Sequence, residues 1–309
     1  MIETWLQELP HGITLSCRAA GPRGRPVLLF LHGFPEAAFV WDDLLEHFAR
    51  PEHGGYRCVA PNLRGYERSS APAEVAAYRA KHLVQDIVAL IAAESPQAPL
   101  ACLVAHDWGG AVAWNLANQH PALLQRLLII NSPHPGTFWR ELRHNPAQQA
   151  ASAYMNFLIR PDAERLLAAD GYRRLWDFFL GMGAGADGHG WLTDAVRQRY
   201  RAVWDQGLSG GLNYYRASPL RPPRPEDPAA AAVELPQAML TVQVPTHVLW
   251  GLGDTALLPA LLDGLDAYVP RLQVERAAGR THWIVHEDPQ RVRAALQHHL
   301  ARPGYSPAQ

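Results

Sequence analysis

The segment Leu100-Ala101-Cys102-Leu103-Val104-Ala105-His106-Asp107-Trp108-Gly109-Gly110 leaves a folding chain few choices. Its first half is an apolar run of strand length, a helical pattern follows to Gln119, and no loop residues separate the two. So abrupt a turn from strand to helix forces its central residue, Asp107, into a strained backbone conformation and drives the side chain outward. Neighbouring backbones come close, which calls for small residues two before and two after the centre. Ala105 and Gly109 stand there, and Gly110 adds room for the helix to pack. The helix turns its free N–H groups and the positive end of its dipole toward negative charge at its start. This is the geometry of a nucleophile elbow, with aspartate where serine often stands. A carboxylate attacks an electrophilic carbon directly and needs no base to activate it. A helix-capping aspartate would account for Asp107 alone, but not for the apolar strand set against Ala-His-Asp-Trp-Gly-Gly.

The rest of the chain supplies a sheet for that elbow. Short buried runs at Val27–Leu31, Arg57–Pro61, Leu100–Ala105 and Arg126–Asn131 alternate with helical patterns at Phe39–Phe48, His82–Ala93 and Gly109–Gln119. The rhythm stops near Pro133 and resumes after Pro236. It then gives a strand at Thr246–Trp250, a helix at Leu258–Leu265, a strand at Leu272–Val274 and a final amphipathic helix at Pro289–Leu300. The pattern predicts an α/β fold with a mostly parallel sheet covered on both faces. The core spans 1–132 and 237–309, and residues 133–236 form an inserted helical block. Apolar residues make up 48% of the 309, enough for a sizeable core.

An ester formed on Asp107 needs a base and a group to orient that base. His282, in Ala278-Gly279-Arg280-Thr281-His282-Trp283, follows the last strand and is the expected base. Asp254, in Trp250-Gly251-Leu252-Gly253-Asp254, follows the preceding strand and is the expected orienter. Both stand at strand ends, where open α/β sheets place their chemistry, and the chain order is nucleophile, acid, base. After the first core strand comes His32-Gly33-Phe34-Pro35, a bent loop whose Phe34 N–H, with that of Trp108, is expected to form an oxyanion hole. His32, Phe34, Pro35, His106 and Trp108 are the expected walls of an apolar substrate pocket.

With these residues in place, the chain resembles the α/β-hydrolase superfamily and, within it, the epoxide hydrolases. The resemblance covers nearly the whole length. It rests on His32-Gly33-Phe34-Pro35-Glu36, His106-Asp107-Trp108-Gly109-Gly110, the Asp254 and His282 loops, and Asn131-Ser132-Pro133-His134-Pro135, which looks like the start of the family's helical cap. It implies two cap tyrosines that hold and protonate the epoxide oxygen. Tyr154, ahead of Pro161, matches the first, and Tyr215, in Asn213-Tyr214-Tyr215-Arg216, matches the second. Asn62 and Glu67 depart from the Asp-x-Arg-Gly-x-Gly pattern of relatives, and Asp162 stands where a glycine is usual after the proline. The implied reaction opens an epoxide to a vicinal diol with water and no cofactor. A haloalkane dehalogenase using the same Asp, His and acid is the alternative, with Trp108 as halide donor. Phe34 stands where such enzymes often carry an asparagine. A fluoroacetate dehalogenase would place arginines just after its nucleophile, where Trp108 and Ala111 stand. A non-catalytic ligand-binding protein on the same fold is the rival of a different class.

Other motifs fail on context. Gly207-Leu208-Ser209-Gly210-Gly211 fits Gly-x-Ser-x-Gly but follows a polar helical stretch rather than a strand. Gly183, Gly185 and Gly188 fit Gly-x-Gly-x-x-Gly with no strand leading in. His282 and His286 lack the glutamate of a zinc motif, so no metal is expected. A formal net charge of −1 without a basic run speaks against nucleic acid or an anionic membrane as partner. The three cysteines, Cys17, Cys58 and Cys102, are expected as buried thiols. With no leader-like N-terminus, the expectation is a cytoplasmic protein, monomer or homodimer.

Overall fold

The computed structural model describes residues 1–185, 190–224, 227, 230 and 232–305. Gly188 and the last four residues of the C-terminal tail lie outside them. One eight-stranded sheet forms the centre, in the order β1-β2-β4-β3-β5-β6-β7-β8. The strands are β1 (Glu3–Glu8), β2 (Thr14–Ala20), β3 (Val27–Leu31), β4 (Arg57–Pro61), β5 (Cys102–His106), β6 (Leu127–Ile130), β7 (Thr246–Gly251) and β8 (Leu272–Ala277). From β4 to β8 every pairing is parallel, whereas β1 and β2 are antiparallel. This is the mostly parallel α/β sheet that the alternating pattern predicts.

The continuous apolar runs of β3, β5 and β6 follow from burial on both faces. Successive side chains of a strand point to opposite faces, so each run feeds two cores. Leu29, Leu31, Leu103, Ala105, Leu127 and Ile129 pack with α2 (Ala80–Glu94) and α3 (Asp107–Gln119). Leu28, Phe30, Cys102, Val104, Leu128 and Ile130 pack on the other side with α1 (Asp42–Ala49) and α10 (Pro289–Leu300). The three cysteines are free and buried.

Between β6 and β7 the chain forms α4 (Pro135–His144), α5 (Pro146–Ala151), α6 (Tyr154–Leu158), α7 (Ala163–Gly181), α8 (Asp194–Trp204) and α9 (Ser209–Ala217). α7 is interrupted at Ala169–Tyr172, where three consecutive residues have positive φ. These helices dock on the loops that follow β3 and β4. Trp204 Nε1 donates to Pro35 O at 2.8 Å, and Tyr214 Oη donates to Arg64 O at 2.9 Å. Ser209 opens α9, and its hydroxyl donates to Glu164 at 3.0 Å, so the Gly-x-Ser-x-Gly match has no elbow.

Two expectations are corrected. The helix expected over Leu258–Leu265 is two short 3-10 turns, Pro259–Leu262 and Leu265–Ala267, separated by Gly264 at φ 68°. Phe39–Phe48 divides into a 3-10 turn over Ala38–Trp41 followed by α1. β1 and β2 carry no continuous apolar run: β1, at the sheet edge, is mostly solvent-facing, whereas β2, between β1 and β4, is mostly buried.

The chain leaves β3 toward β4 on one side and returns to place β5 on the other, so β3 and β5 flank a topological switch point. Crevices outside the carboxyl ends of such strands are where open α/β sheets bind ligands. His32 follows β3 and Asp107 follows β5.

Burial also sets the acid response of the fold. His32, His134 and His299 are buried, and burial lowers each pKa from about 6.5 to about 4. The unfolded chain takes up these protons below about 6.5 while the fold refuses them, so stability falls as pH drops from about 6.5 to 4. Each histidine accounts for at most about 3 kcal/mol of that fall. Thermal unfolding at a series of pH values is expected to show Tm dropping through this window, and His299→Gln is expected to flatten the drop.

Candidate active site

Asp107 begins α3 directly at the end of β5, with φ at 49°. A left-handed backbone on a non-glycine residue costs about 1–3 kcal/mol and persists only where its surroundings fix it. Here they do. A Cβ on Gly33 would lie 2.3 Å from that of Asp107, and one on Gly109 would lie 2.5 Å from the Leu31 carbonyl oxygen. Only glycine lets the three loops approach this closely. Ser132 Oγ donates to the Asp107 carbonyl at 2.7 Å, tying the elbow to the end of β6.

The Asp107 side chain is held at one oxygen and open at the other. The Phe34 N–H donates to Oδ1 at 2.7 Å. Oδ2 lies 3.9 Å from His282 Nε2. His282 Nδ1–H donates to Asp254 Oδ2 at 2.7 Å, which turns Nε2 toward Asp107. Asp254 in turn accepts from Ala256 N and Leu257 N, both at 2.9 Å, and from Asn131 Nδ2 at 2.8 Å. The His282 loop is anchored by Thr281 N donating to Glu287 at 2.8 Å.

Burial opposes charge on His282, yet the Asp254, Asp107 and Glu36 carboxylates outweigh it and push its pKa up to about 9. Burial works against ionisation of Asp254 as well, and the His282 ring and the hydrogen bonds prevail, lowering its pKa. In this resting arrangement the imidazole is charged at neutral pH and sits between two carboxylates. Its contribution to stability is therefore present below about 6.5 and lost as pH rises through about 9.

Tyr154, at the start of α6, and Tyr215, in α9, border one cavity together with Asp107 and Trp108. Their rings lie 6.2 Å apart. Burial, reinforced by the Asp107 charge, holds both phenol pKa values above the ordinary range, so both are neutral donors. The cavity, of about 250 Å³, is lined mostly by apolar groups such as Leu83, Val112, Phe138, Met155 and Leu257.

Of the five side chains expected to wall the pocket, Trp108 borders this cavity. The structure does not place the other four on its wall. His32 is fully buried, accepting from Leu63 N at 3.0 Å and donating from Nδ1 to Gly33 O at 2.9 Å. The Phe34 ring packs edge-on against Tyr215, with centroids 5.3 Å apart. Pro35 follows a cis peptide, and its carbonyl is held by Trp204. His106 belongs to β5, and strand alternation turns it away from Asp107 into a buried polar cluster. The Trp108 N–H, expected as the second oxyanion donor, begins the free N-terminus of α3 beside Asp107.

Glu36, Tyr200 and His286 of that cluster, and Asn131, carried no catalytic or pocket role in the sequence reading. Glu36 has no exposed surface, and its Oε1 accepts from Tyr200 Oη at 2.7 Å and from His286 Nε2 at 2.6 Å. Its Oε2 lies 3.2 Å from His106 Nδ1, while His106 Nε2 lies 3.0 Å from the His282 carbonyl oxygen. Both ring nitrogens of His106 thus face oxygen atoms. Burial disfavours charge on Glu36, but its histidine partners hold its pKa well below the usual carboxylate range. Asn131, at φ 37°, accepts from Gly251 N at 2.8 Å while donating to Asp254, so it fixes the orienting acid to β7. Glu36 and Asn131 stand in the motifs that carry the resemblance, whereas Tyr200 and His286 lie inside helices and carry no sequence signal of their own.

The alpha/beta hydrolase fold family matches residues 26–289. The AB hydrolase superfamily protein YfhM of Bacillus subtilis (strain 168) is 33% identical over 293 residues, covering 94% of this chain and 95% of its own. Epoxide hydrolase 2 of Caenorhabditis elegans is 30% identical over 290 residues, covering 93% of this chain and 77% of its own. The crystal structure of the Bacillus megaterium epoxide hydrolase in complex with an inhibitor aligns with a TM-score of 0.85 at 31% identity, covering 96% of this chain and 100% of that one.

Proposed function

The chain belongs to the α/β-hydrolase fold family and, within it, to the epoxide hydrolases, and on that premise we propose that it opens an epoxide to a vicinal diol through an ester on Asp107. One observation carries the reading of the site: a single apolar cavity brings Asp107 together with two neutral tyrosines, and His282 backs the same carboxylate. A carboxylate and phenols facing each other suit a substrate with an electrophilic carbon beside a basic oxygen.

Asp107 Oδ2 attacks an epoxide carbon while Oδ1 stays on the Phe34 N–H. The carbon–oxygen bond opens, and Tyr154 or Tyr215 gives its proton to the leaving oxygen. Esterification neutralises Asp107, which removes one of the carboxylates that raise the His282 pKa. The imidazolium then releases its proton, which restores the phenol, and the neutral ring becomes a base. His282, held by Asp254, takes a proton from water, and that water attacks the ester carbonyl. The N–H groups of Phe34 and Trp108 stabilise the oxyanion on Oδ1. The intermediate collapses, the His282 imidazolium gives its proton to the departing alkoxide so that the diol leaves neutral, and the new carboxylic acid then passes its own proton to His282. Residues 133–236 act as a cap, a role supported by the two tyrosines they carry. Among the described residues no helix is long and apolar enough to cross a membrane. The working form in this proposal is a cytoplasmic monomer or homodimer.

Tyr154→Phe and Tyr215→Phe are each expected to lower kcat/KM for diol formation by about 100-fold, and the double variant by more than about 1,000-fold, because each removes a donor to the developing alkoxide. Parallel assays of diol formation and halide release test the function itself. Diol without halide supports the proposal, and halide release with no epoxide turnover contradicts it.

A further inference from the structure

The cavity beside Asp107 extends along α3. Trp108, Ala111, Val112 and Asn115 line it from a single face of α3, spaced three and four residues apart. At 1.5 Å per residue, that face carries it about 12 Å along the helix from the nucleophile. Met239 also borders it, beside the C-terminal half of α3, where Asn118 Nδ2 donates to Ala238 O at 3.0 Å and to Thr241 O at 2.8 Å, and Met239 is 55% exposed, so the cavity reaches the surface there. Asn115 spends one amide hydrogen on the Ala111 carbonyl at 2.8 Å. The walls between Asn115 and the tyrosines are otherwise nearly all apolar.

Behind the tyrosines the space is filled. Phe178 packs on Tyr154 with centroids 5.3 Å apart and on Phe34 at 6.1 Å, and Phe34 packs on Tyr215 at 5.3 Å. Neither phenylalanine borders the cavity. An epoxide held between Asp107 and the tyrosines therefore has room for a long substituent on one ring carbon and none for a second of similar size.

We infer that the enzyme prefers terminal epoxides bearing one elongated apolar substituent, which lies along α3 toward Met239, and that Phe178 with Phe34 sets this preference by closing the place of a second substituent. This rests on the epoxide-hydrolase reading of the site.

The test compares terminal epoxyalkanes of increasing length, together with two ten-carbon isomers, one with the ring at its end and one with a trans ring at its centre. In the native protein kcat/KM is expected to rise up to about fourfold per added methylene until the chain reaches the mouth, as full burial of each CH₂ allows. The terminal isomer is expected to be favoured over the central one by at least about 30-fold. Phe178→Ala is expected to narrow that ratio at least about tenfold. Asn115→Trp is expected to lower the ten-carbon terminal epoxide relative to epoxypropane by a similar factor. Equal turnover of the two isomers, or no rise with chain length, overturns the inference while leaving epoxide hydrolysis in place, and both are read on the native protein. Turnover of no epoxide in the series overturns the reading of the site, and the inference with it.

Discussion

Asp107→Asn is expected to lower kcat for diol formation by at least about 10⁴-fold, with Tm within a few degrees of the native protein. Asparagine is the gentlest replacement. It keeps the size that fits against Gly33, tolerates the φ of 49°, and its amide oxygen still accepts from the Phe34 N–H. What it loses is nucleophilicity, since an amide oxygen does not attack a saturated carbon at a useful rate. Binding and the tyrosine donors survive, so the loss is expected in kcat rather than KM. Diol formation within about tenfold of native would mean that water attacks the epoxide directly.

His282→Gln is expected to split the reaction. Alkylation of Asp107 needs no base, so one equivalent of substrate per enzyme reacts and the ester then persists. Steady turnover is expected to fall by about 10³-fold or more, with the substrate's mass added to the peptide that carries Asp107. The buried Asp254 carboxylate tolerates the change because Ala256 N, Leu257 N and Asn131 still donate to it. A stoichiometric burst with a stable ester supports the assigned roles. A variant that neither turns over nor alkylates would place His282 in the first step.

The legible parts of this molecule are those set by local order. The elbow at Asp107 could be read because strand, turn and small residues are contiguous. Asp254 and His282 could be read because each closely follows an apolar run. Tyr154 and Tyr215 sit in helices whose periodicity says nothing about chemistry, and only a resemblance singled them out. The polar contacts behind the site were not legible at all: Glu36 meets Tyr200 across 164 residues and His286 across 250, and Asn131 meets Asp254 across 123. Such pairs exist only once the sheet has formed. Of the expected pocket residues, His106 stands off the cavity for a related reason. His106 adjoins Asp107 in sequence, but strand alternation turns it into the core, while Ala111, Val112 and Asn115, farther along the chain, face the cavity. β1 escaped notice because an edge strand exposes one face and lacks a continuous apolar run, β2 because Ser16 and Arg18 interrupt its apolar residues, and Gly264 broke the helix that apolar spacing implied.

A single turnover in ¹⁸O-labelled water, with enzyme in excess over epoxide, tests the ester directly. If Asp107 attacks first, the oxygen added to the diol comes from its carboxylate, and the label appears in the Asp107 peptide while the diol stays unlabelled. Label in the diol of that first turnover, with none in the peptide, would contradict a covalent step at Asp107.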